Sequence, residues 1–317
     1  MILCYYISNL IRYIISYNKR GGNNVNNKFI ISTDSGCDLN YETCLKYDIR
    51  PFLMSYSSDN SVYQDTMDDT DKQKFYSDMK NGMIFKTTAV NIKQAYDFLE
   101  KLQQENLPII YISLGSAISS TYNNFIQAKE MILEKYPNAV INIVDSTLAS
   151  AGYGVLAIEA STMRSLGKSF EEVTEYLEKY KGGINTYYTT STLKYLARGG
   201  RVSKVANVFG SILSIKPILR LDIEGHLLVE ATGHGKKQTF EKLKRYIKDT
   251  VTNPEVQILY VAHTMEDSEA RTLGEIVKNE IGFKDVFYTI IGSIIGSHAG
   301  PGLISFFYHG KDRTPEK

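Results

Sequence analysis

Pro108-Ile-Ile-Tyr-Ile-Ser-Leu-Gly-Ser-Ala-Ile-Ser-Ser-Thr-Tyr-Asn-Asn-Phe125 is the stretch on which the fold turns. Its unbroken apolar run, Ile109 to Ile112, predicts a strand buried on both faces, and this runs into a Ser/Gly-rich loop followed by a helix. In an open α/β sheet, ligands sit at the crest beyond the carboxyl end of such a strand, because the next helix leaves unpaired backbone N–H groups there. Ser113, Ser116, Ser119, Ser120 and Thr121 crowd this crest with hydroxyls.

The same design recurs on either side. Phe29 to Ser35 reads as a strand ending in Thr33-Asp34-Ser35, with Asp38 placed to cap a helix from Leu39 to Tyr47. Val140 to Ser146 reads as another, ending in Asp145-Ser146 before a helix whose Gly152 and Gly154 suit close packing or room for a ligand. Parallel strands joined by helices bring the three polar crests to one edge, which predicts one site there. Between them, Arg50 to Tyr56 reads as a strand and Lys72 to Lys80 as a helix. Asp65, Asp68, Asp69 and Asp71 match no calcium loop, so capping and solvation are expected of them. Asn91 with Gln94 forms a capping-box signal, which leaves Thr87 and Thr88 just ahead of a helix.

A helix from Phe170 to Tyr180 ends at Gly182-Gly183, and the junction of two lobes is expected between Leu166 and Gly183. Beyond it come a strand, Ile184 to Thr189, and a helix, Thr192 to Arg198, stopped by Gly199-Gly200 directly before Arg201. A hairpin through Ile223-Glu-Gly225 and further alternating helices and strands predict a second α/β layer. It ends in the glycine-rich run Gly292 to Gly302 around His298 and a last apolar strand, Leu303 to Tyr308.

Composition narrows the classes of function. The 36 basic and 35 acidic residues leave a net charge of +1, so no long-range field recruits nucleic acid or an anionic membrane. No apolar stretch approaches the roughly 20 residues that span a bilayer. Cys4, Cys37 and Cys44 have neither metal-ligand spacing nor the even number of a disulfide framework, which points to a reducing cytoplasm. The histidines show no ligand spacing for a metal, and no Walker loop or complete G-x-G-x-x-G is present.

Among chemistry-bearing residues, His298 stands out because it lies between glycine-rich turns just after a buried strand. A buried histidine capping a short helix is an equal alternative. Ser119, His298 and either Asp34 or Asp145 could form a nucleophilic triad, but the G-x-S-x-G elbow is missing. The residues by themselves describe a two-lobed α/β binder of a small acidic ligand, with a hydrolase left open.

Seven motifs in order carry a resemblance. They are Thr33-Asp34-Ser35, Thr87-Thr88, Ser119-Ser-Thr-Tyr122, Val144-Asp-Ser146 with Ser150, Leu196-Ala-Arg-Gly-Gly-Arg201-Val-Ser-Lys204, Ile215-Lys-Pro-Ile-Leu219 and Ser297-His-Ala-Gly-Pro-Gly302. From about Phe29 to Tyr308 the chain resembles the DegV family. That resemblance implies two α/β domains with a ligand tunnel between them, 28–166 with a mainly parallel sheet and 167–310 with a mixed one, followed by a tail, 311–317. It also implies a monomeric protein without a cofactor that binds one long-chain fatty acid and presents it to a separate fatty acid kinase, which makes an acyl phosphate for phospholipid synthesis. Thr87 or Thr88, Ser119 with Thr121, and His298 would bracket the carboxylate. Arg201 would lie near the head group or face the kinase, and His234 occupies the place of an arginine linked to work with the kinase. Ser120 and Ala89-Val90 depart from the family's usual Ser-Gly-Thr and Gln-Pro. The alternatives are an acyl-ester or thioester hydrolase using Ser119 and His298, or a lipid-sensing module without a kinase. Ile118, Tyr122, Phe125 and Ile295 flank the crests and are candidates for the tunnel wall, with core packing as the competing role.

Residues 1–27 are unlike the rest: an apolar start broken by Asn9 and Arg12, then a polar stretch from Lys19 to Asn27 with no cleavage site of a signal peptide. The run Arg20-Gly21-Gly22 can be encoded by a purine-rich ribosome-binding sequence, with Val25 read as a GTG start. Peptide mapping of the native protein is therefore expected to find no fragment upstream of Val25; recovery of residues 1–19 would contradict it.

Overall fold

The structure is a computed structural model and describes residues 29–59, 61–201 and 215–315. The leader 1–27 with Val25, Lys204 of the arginine motif and the end of the tail lie outside the described residues.

In chain order, strand β1 (Ile30–Asp34) leads to helix α1 (Tyr41–Lys46), then β2 (Ile49–Phe52), β3 (Ser55–Ser58) and β4 (Ser61–Gln64). Helix α2 (Asp69–Lys80), β5 (Lys86–Thr87), α3 (Ile92–Gln103), β6 (Ile109–Ser113), α4 (Thr121–Lys135) and β7 (Ile141–Asp145) follow. Next come α5 (Ala151–Ser165), α6 (Phe170–Tyr180), β8 (Ile184–Thr190), α7 (Lys194–Arg198), β9 (Ile215–Leu221) and β10 (Leu227–His234). The chain closes with α8 (Gly235–Thr250), β11 (Ile258–His263), α9 (Asp267–Ile281), β12 (Asp285–Ile290), α10 (Ser293–Ala299) and β13 (Leu303–His309).

Among the described residues, the first half forms a four-stranded parallel sheet in the order β2-β1-β6-β7. The second half forms a six-stranded mixed sheet, β10-β9-β8-β13-β11-β12, in which only the β11–β12 pair is parallel. Ile109 to Ile112 are fully buried, as a central parallel strand requires. The stretch expected as one strand from Arg50 to Tyr56 is broken. β2 is an edge strand that tolerates Pro51, and after Leu53-Met54 the chain leaves it to pair in a small antiparallel sheet, β4-β3-β5.

Helix α5 holds the two sheets together. From Ala151 to Arg164 every residue is buried, and the helix packs against β1, β2 and β6 on one side and β8, β11 and β13 on the other. Apart from Glu159, Thr162 and Arg164 its buried residues are apolar or small all round, the pattern of a helix with no solvent face. Gly152 and Gly154 serve packing. A Cβ at Gly152 would lie 3.2 Å from the Phe307 ring, and one at Gly154 would lie 2.7 Å from the Cys37 carbonyl oxygen. The two charged side chains on this helix are both engaged: Arg164 donates to the Asp48 carbonyl at 2.9 Å and lies 3.3 Å from the Asp48 carboxylate, and Tyr176 donates to Glu159 at 3.0 Å. The other Glu159 oxygen meets His309 Nε2; burial opposes charge on that ring, but the carboxylate prevails and raises its pKa.

The acidic residues resolve one by one. Asp68 caps α2, accepting from Thr70 N at 2.7 Å, while Asp69 and Asp71 sit in its first turn. Asp65, expected at the surface, is buried and accepts from Met67 N at 3.1 Å. Asp38 does not cap α1. That role belongs to Asn40, whose side chain accepts from Thr43 N at 2.9 Å. Asp38 instead stands in the left-handed region (φ 55°), fully buried, and accepts from Ser150 Oγ at 2.5 Å and from the backbone N–H of Gly292 at 2.8 Å. Its own carbonyl accepts from Thr289 Oγ1 at 2.5 Å. One aspartate thus joins the crest of the first sheet to the end of β12 and the start of α10.

Burial pushes the Asp38 carboxyl up to about 7, against the pull of Ser150, Gly292 and Lys72. Between its ordinary range near pH 4 and pH 7, the folded chain keeps a proton that the unfolded chain releases. This contribution is present in acid and lost as the pH rises through 7. Asp38→Asn has no proton to lose, so its stability relative to the parent is expected to improve from pH 5 to pH 8 in denaturant titrations. A difference independent of pH would refute this.

Candidate functional site

A cavity lies between the crest of the first sheet and one face of the second. The centre of a water-sized sphere can move through about 110 Å³ of it, several times the ~10–15 Å³ that one water needs. Its wall on the second sheet comes from alternate residues, Thr186 and Tyr188 on β8 and Leu303, Ser305 and Phe307 on β13, the period of side chains sharing one face. Leu114, Ala149 and Ser150 face them from the crest. Most of the lining is apolar; Thr87, Thr88, Ser119, Arg201 and His298 contribute polar and charged groups, and Ser150, Thr186 and Ser305 add hydroxyls elsewhere on the wall.

His298 sits in the last turn of the short helix α10. The helix is fixed at its start by Asp38 and by Tyr76, whose hydroxyl donates to the Ile291 carbonyl at 2.9 Å. Gly296 is required where it stands, because a Cβ there would collide with the Tyr76 hydroxyl. At the other end Gly300 takes φ +68° and lets the Tyr195 ring of α7 lie against its backbone. His298 Nε2 and Thr87 Oγ1 are 2.7 Å apart. Nδ1 is buried against Gly199 and has no hydrogen-bond partner among the described residues. Burial, then the positive charges of Arg201 and Arg198, push the imidazole down to about 4, so it is neutral at pH 7.

Thr87 comes from β5, paired opposite Tyr56. The loop after it is tied to the start of α4: Asn124 Nδ2 donates to the Val90 carbonyl at 2.8 Å, and Val90 N–H donates to Thr121 Oγ1 at 3.4 Å. Ser119 Oγ donates to the same Thr121 hydroxyl at 3.0 Å. Thr121 is therefore a buried brace behind Ser119, not part of the cavity wall.

The suspected triad does not assemble. His298 meets Thr87, and no carboxylate is hydrogen-bonded to its ring among the described residues. Asp34 is buried among the Tyr153 and Tyr111 hydroxyls at 2.6 and 3.2 Å, and burial raises its pKa. Asp145 holds the crest loop by accepting from Ser116 N at 3.0 Å and Thr147 N at 3.1 Å.

A DegV family profile, described as an uncharacterised protein family, matches residues 28–311. The chain belongs to the DegV family. A DegV domain-containing protein of Clostridium perfringens is 35% identical over 289 residues, covering 91% of this chain and 99% of that one. Among solved structures, a stearic acid-binding protein from Eubacterium ventriosum superposes with a TM-score of 0.80 at 24% identity, covering 89% of this chain and 98% of that one. DegV of Bacillus subtilis, a fatty acid binding protein, gives 0.77 at 22% identity, covering 90% and 99%. These two likenesses show the DegV fold: a parallel sheet in the first part and a mixed sheet in the second.

Within that DegV fold the sequence-predicted residues divide. Thr87, Thr88, Ser119, Arg201, His298, Ile118 and Ile295 reach the cavity, whereas Tyr122 and Phe125 join the core around Ile109 and Tyr111. Arg201 donates to the Ile118 carbonyl at 3.3 Å and the Gly199 carbonyl at 2.6 Å. His234 is exposed at the end of edge strand β10, opposite Ile215 and away from the cavity wall. Asp222, Glu224 and His226 bring potential metal-ligand atoms within 4.8 Å on the hairpin turn. The turn itself accounts for the aspartate, since Asp222 Oδ1 accepts from the backbone N–H groups of Glu224 and His226 at 3.0 and 2.8 Å. No helix among the described residues is long and apolar enough to cross a membrane.

The low pKa of His298 has a sign that can be checked. Between its ordinary value near 6.5 and about 4, the unfolded chain takes a proton that the folded one refuses. The contribution to stability is full above pH 6.5 and falls away as the pH drops toward 4. His298→Gln should flatten the acid side of the stability profile over that interval, measured by thermal melts at several pH values. An unchanged slope would refute the assignment.

Proposed function

We propose that this chain binds one long-chain fatty acid, with 28–166 and 167–310 as the two lobes that enclose it and the carboxylate held by Thr87, Thr88, Ser119 and His298. The observation that supports this most is the pairing of Thr87 with His298, from opposite halves of the chain, beside Arg201 in a cavity whose lining is mostly apolar. The E. ventriosum and B. subtilis proteins are described as binding stearic acid and fatty acid respectively.

The division of labour follows from energies. A buried carboxylate needs donors, and charge-assisted bonds from hydroxyls and an imidazole contribute about 1.5–3 kcal/mol each. A tail of roughly 14 methylenes at about 0.8 kcal/mol each gains on the order of 11 kcal/mol before the costs of ordering it. The head fixes orientation, and the tail supplies most of the affinity.

In this reading a separate fatty acid kinase brings nucleotide and metal and phosphorylates the presented carboxylate, and the chain itself supplies no nucleophile. Arg201 at the cavity and the exposed His234 are the residues proposed to face that kinase. The hydrolase alternative loses ground because Ser119 donates to Thr121 and the ring of His298 is engaged by Thr87.

Native mass spectrometry of the purified protein, followed by lipid extraction, is expected to find one fatty acid per chain. Ser119→Ala or His298→Ala should lower coupled kinase turnover more than it lowers retention of the acid. Equal losses in both would show that the head group is not positioned by these residues.

A further inference from the structure

The cavity has a polar end, and the register of the second sheet shows where the opposite end lies. Leu303 pairs with Thr190, Ser305 with Tyr188 and Phe307 with Thr186, so β13 runs from the His298 end toward Phe307, about 13 Å along the strand at ~3.3 Å per residue. In β9, Leu219 pairs with Tyr188 and Arg220 with Tyr187, which carries Leu221 to the level of Thr186 and Phe307. Leu221 and its hairpin partner Leu227 both line the cavity, at the corner diagonally opposite His298.

That corner is closed by a contact between halves. The hairpin turn after Leu221 abuts the loop after β7, with a Cβ on Gly225 placed 3.0 Å from the Thr147 carbonyl oxygen. Ala149 and Ser150, just beyond Thr147, line the cavity from the first half. Arg313, beyond the last strand, is 5% exposed and spans this contact. Its Nη1 donates to the carbonyls of Thr147 at 2.7 Å and Asp222 at 2.8 Å, and its Nη2 to Thr147 Oγ1 at 2.6 Å and the Lys181 carbonyl at 3.2 Å. Nε donates to the Gly182 carbonyl at 3.3 Å. All five donors of the guanidinium are used, on acceptors from the first half, the connection and the hairpin. A lysine ammonium, with three donors at one point, cannot reproduce that spread.

We propose that Arg313 is a specificity-determining positioning residue: by clamping the Thr147 loop to the hairpin turn, it fixes the far wall of the cavity and so the length of acyl chain accepted. This rests on the fatty acid reading above and extends it to a residue that touches no part of the ligand. Apolar pockets discriminate by fit at their ends, where one methylene changes selectivity by about tenfold or more.

The test uses the full chain, stripped of lipid, offered 14- and 18-carbon saturated acids in competition, with bound acids read by native mass spectrometry. Arg313→Lys and Thr147→Val should raise the ratio of bound 18- to 14-carbon acid by about tenfold. Leu227→Phe, which fills the corner, should lower it. Melting curves identify which variants fold; if Arg313→Lys does not, Thr147→Val and Leu227→Phe carry the comparison. Folded variants with the parental ratio would overturn the clamp while leaving fatty acid binding intact. A parent protein that takes up neither acid would overturn both readings.

Discussion

The carboxyl group of Asp38 is the point on which the two halves are registered. It is fully buried, and its donors come from both sides: the Ser150 hydroxyl from the crest of the first sheet, and the backbone N–H of Gly292 at the head of α10 from the second. Apolar packing holds the same seam together but has no direction, whereas these bonds set where α10 begins. From Gly292 the helix runs two turns to His298, so the imidazole is placed opposite Thr87 by an aspartate that touches neither. A pairing between residues from the two halves of the chain depends on such a fixed register.

The polar end also has an electrostatic character. Burial together with Arg198 and Arg201 keeps the His298 ring uncharged, and the same positive field favours an anion beside it. The first turn of α4, next to Ser119, adds backbone N–H groups of the same sign. Farther in, the walls are mainly aliphatic and aromatic, with only uncharged hydroxyls from Ser150, Thr186 and Ser305 among them. Charge is therefore accommodated at one end of the cavity only, which gives any elongated amphiphilic guest a single favourable orientation.

Much of the first sheet was legible because a short run such as Ile109 to Ile112, apolar throughout and followed by hydroxyls, suits a strand covered on both faces far better than a surface element. The capping box of Asn91 and Gln94 is local and stands as read. What escaped depends on distant partners. Asp38 reads as a cap until Gly292, 254 positions away, claims it. The run from Gly292 to Gly302 leaves glycine-rich turns and a short helix under His298 equally open; the helix α10 is there, and its glycine at 296 answers to the ring of Tyr76 in another element. The cavity wall on β13 is hidden because Leu303 to Tyr308 is buried on both faces, so alternation does not mark the side that faces the cavity. Arg313 reads as part of a tail, since nothing nearby in sequence shows what its guanidinium reaches.

The all-round burial of α5 bears on traffic in and out of the molecule. Parting the sheets as a clamshell would wet Val155, Leu156 and Ile158, at roughly 1.5–3 kcal/mol for each large apolar side chain. Those three alone would consume an amount comparable to the entire stability of many domains, about 5–15 kcal/mol. Wholesale opening is thus a rare event, and under the fatty acid reading proposed above any guest would have to enter and leave past a frame that stays shut.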